Sequence, residues 1–137
     1  MARLQLTIVS QEKELISAGV DRLTVPGSEG ELTILPGHLP LVTRLVPGVI
    51  EYEADQKVQD FAVSRGFLTV SADNEAIVMV DSAVDAREVS LSKAEAAVKR
   101  AQEAITISED RRERLKAEAE LRFALLQLNL AERSKRT

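Results

Sequence analysis

The sequence predicts an α+β protein: an N-terminal antiparallel β-sandwich followed by a C-terminal antiparallel two-helix hairpin. Three observations carry this. All six glycines and all four prolines lie at or before Gly66, so turns concentrate in the first half and the rest of the chain is free to be continuously helical. The apolar period is two in the first half and 3.5 in the second. Charge divides as well: residues 1–84 carry 6 basic and 12 acidic side chains, and residues 85–137 carry 12 basic and 10 acidic. The expected organisation is therefore a sandwich over residues 1–84, ending near Ser82–Asp85, and a hairpin over residues 85–137.

Taken in order, Leu4, Leu6 and Ile8 alternate with polar partners, as do Leu23 with Val25, Leu32 with Ile34, and Val49 with Glu51. Such alternation marks strands with one face on a core. Further strands are read at Phe61–Val63, Phe67–Val70 and Ala76–Val80, for about eight to ten short strands in all. Pro-Gly pairs at 26–27, 36–37 and 47–48 are read as turns, with proline presetting one angle and glycine accepting a positive φ. In the tail, Leu91, Ala94, Val98, Ala101 and Ile105 form one heptad seam, and Ala117, Leu121, Ala124, Leu128 and Ala131 form a second. Ser92–Glu95 and Thr106–Glu109 have the form of capping boxes. The short gap between the helices forces an antiparallel pair. Half of the seam is alanine, which buries little area, so the hairpin is expected to be weakly held. A second stripe on the last helix, Leu115, Phe123, Leu126 and Leu130, must face the sandwich or another chain.

Composition excludes several function classes. The 137 residues contain no cysteine and one histidine, His38, which removes disulfides, thiolate nucleophiles, iron–sulfur clusters and His-rich metal centres. The net charge of −4 comes with no basic run, so nucleic-acid binding is not expected. No segment has the ~18 apolar residues needed to cross a bilayer, and the alternating N-terminus does not read as a signal or transit peptide. A soluble protein that meets membranes only through partners is expected.

No strong catalytic motif appears. His38 reads first as a loop residue after a Pro-Gly turn. Glu29 with Glu31, and Glu51 with Glu53, are carboxylate pairs two apart, which on a strand share a face. They read as solvated pairs, with a glycan-processing enzyme using Glu29 and Glu31 as a remote alternative. Arg111, Arg112, Arg114 and Lys116 cluster where the second helix opens, either as a solvated face or as a contact surface. From the residues alone this is an interaction protein with a movable hairpin.

The run Val25-Pro-Gly-Ser-Glu-Gly-Glu-Leu-Thr-Ile-Leu-Pro-Gly-His-Leu-Pro-Leu41 closely resembles the signature of the epsilon subunits of rotary F-type proton-translocating ATP synthases. So do Leu45–Ile50 and Gly66–Val70, in the same order along the chain. One departure is Arg65, where many members carry a second glycine before Gly66. The resemblance implies a non-catalytic, central-stalk rotor subunit. Its partners are the gamma subunit, the c-ring and the beta and alpha subunits, and it is a monomer when isolated. Glu29, Glu31 and His38 would face the ring or gamma. The hairpin would brake ATP hydrolysis through Arg111, Arg112, Arg114, Lys116 and Arg122, with Arg133, Lys135 and Arg136 as further cations. Some members bind ATP through an apolar-Asp-x-x-Arg-Ala motif. Here it reads Val89-Ser90-Leu91-Ser92-Lys93-Ala94, with Arg100 matching a further arginine and Phe123 and Gln127 standing at the expected helix positions. Lysine lacks the planar fork of arginine and phenylalanine offers no donor, so no cofactor is expected. The implied location is peripheral, on the cytoplasmic face of a bacterial plasma membrane or the stromal face of a thylakoid. The alternative is a free-standing sandwich scaffold dimerising through its heptads.

Overall fold

The computed structural model describes residues 3–136, with side chains as far as residue 132. Ten strands are present among the described residues: β1 (Leu4–Val9), β2 (Glu14–Val20), β3 (Arg22–Gly27), β4 (Gly30–Ile34), β5 (Leu41–Leu45), β6 (Gly48–Ala54), β7 (Lys57–Val63), β8 (Gly66–Val70), β9 (Glu75–Val80) and β10 (Ala83–Asp85). After them come a single 3-10 turn, Ala86–Glu88, and two helices, α1 (Leu91–Ile107) and α2 (Arg111–Arg136). The α+β architecture of sandwich plus hairpin is the one the sequence predicts.

The strands run in the order β10-β7-β6-β3-β5-β8-β9-β1-β2, with β4 as a second partner of β3. The sheet folds over at β3 and β5, whose only register pair is Gly27 with Leu45. This corner divides it into two layers that enclose one core of Leu4, Leu6, Ile8, Leu23, Ile34, Leu45, Ile50, Leu68 and their neighbours. Antiparallel ladders dominate, but β1 pairs in parallel with β9, its neighbour in the sheet although seven strands separate them in sequence. β2, β5 and β10 are additional to the strands read from alternation. In β6 the inward residues are Ile50 and Tyr52, while Val49 and Glu51 take the other phase.

Only one of the three Pro-Gly pairs is the expected turn. Gly37 has φ of 86°. Pro26 and Gly27 instead end β3, and the β3–β4 turn is Ser28–Glu29 followed by Gly30 at φ of 131°. Gly48 opens β6, and a Cβ there would lie 2.7 Å from the Cβ of Pro26. That pair serves close packing of two strands, which a side chain would prevent. Arg65, at the departure from the family signature, donates from Nε to Asp81 at 3.1 Å and accepts the Asp81 N–H at its carbonyl, closing the bend between β7 and β8.

The seam of the hairpin is as predicted: Ala94 and Ala101 on α1 and Ala117, Ala124 and Ala131 on α2 are all buried. The largest fully buried side chains all lie in the sandwich. The caps differ from expectation. Ser90, not Ser92, caps α1 by accepting the Lys93 N–H at 3.5 Å, and Asp110 caps α2 by accepting the Arg112 N–H at 3.0 Å. In both cases the chain bends later or earlier than the box pattern alone indicates, and the side chain beside the bend takes the free N–H. α2 rests on β6, β7 and the 3-10 turn, with Phe123, Leu126 and Leu130 half-buried and Leu115 left 54% exposed. The heptad seam is thus buried between α1 and α2 of the one chain.

Candidate interaction surfaces

The second layer leaves an apolar outer face. Residues on adjacent strands come into register as Arg44–Phe67–Met79–Val9 and, one step along, Val42–Thr69–Ile77–Thr7. Their inward neighbours Leu45, Leu68, Val78 and Ile8 are in the core, so the pleat turns this set outward. Val42 is 72% exposed, Met79 59%, Phe67 51% and Ile77 39%. These residues were not singled out from the sequence. The available signal was the run Ala76–Val80, apolar at both phases where a one-sided strand alternates. Arg44 and Arg65 border the groove beside Phe67 and Met79.

A cleft continues from this groove between the sandwich and α2. Pro47, Ser64, Arg65 and Ser82 form one wall; Arg112, Leu115, Lys116, Arg122 and Phe123 form the other. Three of the expected hairpin cations thus line the cleft while staying exposed. Arg111 is exposed, and Arg114 donates from its guanidinium to the Ser108 carbonyl at 3.3 Å, tying α2 to the interhelical turn. Arg133, Lys135 and Arg136 have side chains outside the described residues.

The carboxylate pairs do not form a reaction centre. Glu29 sits in the β3–β4 turn and Glu31 on β4, so the two do not share a strand face. Glu51 and Glu53 do share one, and Arg22 clamps both at 3.0 and 3.5 Å. The Glu29 turn and the His38 loop stand at opposite ends of β4, a five-residue strand roughly 15 Å long. His38 is half-buried, and its Nδ1 lies 2.8 Å from the Leu39 carbonyl. At the degenerate nucleotide motif, Ser90 is occupied as a cap, Lys93 and Arg100 are exposed, and Phe123 and Gln127 are half-buried.

The junction between sandwich and hairpin is built on Asp85. Its carboxylate accepts the Arg87 backbone N–H at 2.9 Å and two guanidinium N–H groups at 3.0 and 2.6 Å. Those bonds hold the Asp85 carboxyl below its ordinary value, against a smaller opposing effect of burial. Burial pushes the Tyr52 phenol up, and the nearby Asp85 charge adds to this. Tyr52 stacks on Phe61 with ring centroids 6.3 Å apart. Among the described residues, no cluster of three or more His, Asp or Glu side chains has metal-holding geometry.

A sandwich with an apolar outer face and a docked hairpin is the architecture of a module built to meet other chains. Comparison with known proteins makes this specific. Residues 3–86 match the family model of the ATP synthase delta/epsilon chain β-sandwich domain. The ATP synthase epsilon chain 2 of Ralstonia nicotianae is 40% identical over 138 residues, covering 99% of this chain and 98% of that one. An ATP synthase epsilon chain of Dehalococcoides mccartyi is 39% identical, with 99% and 97% covered. The fold superposes with a TM-score of 0.74 on a chain of the Euglena gracilis mitochondrial ATP synthase, solved by cryo-EM as OSCP/F1/c-ring; identity is 27%, over 92% of this chain and 79% of that one. A chain from the central stalk and c-ring of the Tetrahymena thermophila enzyme shares the fold at a TM-score of 0.67 and 19% identity. The chain belongs to the ATP synthase epsilon family.

Proposed function

We propose that this chain is a non-catalytic rotor subunit of the central stalk, linking proton flow through a c-ring to ATP synthesis in an alpha–beta hexamer. The observation that carries the reading is the outer face of β5, β8, β9 and β1. Four exposed apolar side chains on three adjacent strands form one contiguous patch, the kind of surface that serves protein contacts. Its occupant in this reading is the gamma subunit, with Arg44 and Arg65 on the rim meeting acidic side chains. Glu29, Glu31 and His38, at the two ends of β4, are the contacts toward gamma or the ring. The chain sits peripherally on the cytoplasmic face of a bacterial plasma membrane, a placement supported by bacterial relatives such as those of Ralstonia and Dehalococcoides. No helix among the described residues is long and apolar enough to cross a membrane.

The division into a rotor-binding sandwich (1–84) and a regulatory hairpin (85–137) belongs to the same proposal. The helices meet each other through small alanines, and α2 meets the sandwich only at β6, β7 and the 3-10 turn through half-buried side chains, so the docked and released hairpin differ by little enough for partners to bias the choice. Released, α2 carries Arg112, Lys116 and Arg122, which face solvent along the cleft when docked, together with Arg111 and Arg114 to an acidic loop of the catalytic subunits, which brakes hydrolysis. The test is the reconstituted complex. Phe67→Asp is expected to abolish retention by gamma while the isolated chain still melts cooperatively; retention at the parent level would refute the docking face. Removing residues from Val89 onward is expected to leave synthesis intact and raise hydrolysis. Alanine at Arg111, Arg112, Arg114 and Lys116 is expected to give part of that rise, more strongly at low salt. Unchanged hydrolysis after truncation would refute the brake.

A further inference from the structure

The His38 loop, a part of the proposed rotor surface that lies outside the strands, is nevertheless held. Leu35-Pro36-Gly37-His38-Leu39-Pro40 presents Leu35 at 52% and Leu39 at 78% exposure on either side of His38. Two prolines restrict its φ angles. The His38 N–H donates to the Leu35 carbonyl at 3.0 Å, closing a turn that needs Gly37 at φ of 86°. That turn leaves the Gly37 N–H pointing out of the loop. It donates to Oδ1 of Asn74, at 2.6 Å, across 37 positions of sequence.

Asn74 is itself set by the fold. It ends the β8–β9 turn with φ of 60°, a left-handed conformation that asparagine tolerates better than most residues. Its carbonyl accepts the Gln5 N–H at 2.8 Å, which fastens the turn to β1. A single residue therefore joins the start of β1, the β8–β9 turn and the tip of the β4–β5 loop.

We infer that Asn74 is a positioning residue: its side-chain carbonyl pins Gly37 and so holds Leu35, His38 and Leu39 in one shape before a rotor neighbour arrives. A loop ordered in advance does not lose its freedom on binding, so the pin is read out as affinity. This rests on the proposed role of the His38 loop as a rotor contact.

Two variants separate the side chain from the backbone. Asn74→Gly keeps the left-handed turn and removes the acceptor; Asn74→Asp keeps both an acceptor and tolerance of that conformation. Amide hydrogen exchange on the full chain is expected to show Gly37 about tenfold faster in Asn74→Gly, the scale of one net hydrogen bond, with Gln5 unchanged and Asn74→Asp near the parent rate. Binding to an F1–c-ring complex stripped of this subunit is expected to weaken several-fold in Asn74→Gly and to recover in Asn74→Asp. Parent-like exchange at Gly37 in Asn74→Gly would overturn the pin. Faster exchange with parent-like binding would overturn the positioning role, and His38→Ala then separates the two readings. If His38→Ala weakens binding, only the role of Asn74 is lost; if it does not, the loop is no rotor contact.

Discussion

Replacing Gly66 by alanine tests how tightly the layer that carries the apolar outer face is built. Gly66 opens β8 and is paired on both sides, with Leu45 of β5 and with Val80 of β9. An added Cβ would overlap the Met79 carbonyl oxygen and lie 2.8 Å from both Cα and Cγ1 of Val80. The first two obstacles are backbone, so no rotamer change relieves them. β8 and β9 would have to part at this end by an appreciable fraction of an ångström or more. Overpacking of this kind costs roughly 1–3 kcal/mol, and a weakened ladder hydrogen bond adds about 0.5–1.5 kcal/mol. A total near 3 kcal/mol corresponds to a fall in Tm of about 10 °C for a chain of this size. Gly19→Ala is the comparator, because its Cβ would meet Arg3 no closer than 3.6 Å, an ordinary contact. Thermal and urea unfolding followed by circular dichroism are expected to show a large loss for Gly66→Ala and little change for Gly19→Ala. A Gly66→Ala protein melting within about 3 °C of the parent would refute the close-approach reasoning.

A fragment of residues 1–84 is expected to fold cooperatively, since the largest fully buried side chains all come from strands before β10; an unfolded fragment beside a folded full chain would refute the division. ATP is expected to bind the isolated chain more weakly than ~1 mM, because Lys93 is an exposed point charge and Phe123 supplies no donor; a micromolar constant from calorimetry would refute this. Asp85 is held below its ordinary carboxyl value, so its contribution to stability is fully present above that value and is lost as pH falls through the lowered one. Tyr52 is raised, so its contribution is present below the ordinary phenol value of 10.0 and is lost as pH climbs through the raised one. Tm measured against pH in Asp85→Asn is expected to lose part of the acid limb and to keep the burial-driven part of the alkaline one, since the Asp85 charge is the smaller cause of the Tyr52 shift; an unaltered acid limb would refute the role given to the Asp85–Arg87 pair.

Much was legible in the chain itself. Two-residue alternation marks Leu4–Ile8 and Leu23–Val25 as strands because a pleat sends every second side chain into the core. The alanine-rich heptads specify a hairpin because 3.5-residue spacing leaves one stripe to bury. The absence of glycine and proline after Gly66 separates the two halves because those residues are the ones that end helices. Each of these rests on interactions between near neighbours in sequence. The caps were legible only to within two residues at α1, where Ser90 caps in place of Ser92, and four at α2, where Asp110 caps in place of Thr106, since several polar side chains near each bend compete and the bend itself selects one.

The sites of contact depended on distant pairing. Val42, Phe67, Ile77 and Met79 come from three strands and become one surface only through the registers β5–β8 and β8–β9. A shift of one residue would bury them and expose the core. Pro26 stacks on Gly48, Arg22 reaches Glu51 and Glu53, and Asn74 holds Gly37, in each case across the fold. Local periodicity determined which segments are strands and helices, because that choice is made by neighbours a few residues apart. Only the tertiary structure decided which apolar side chains face outward and which polar groups meet, because strand order and register are set by the closure of the whole core.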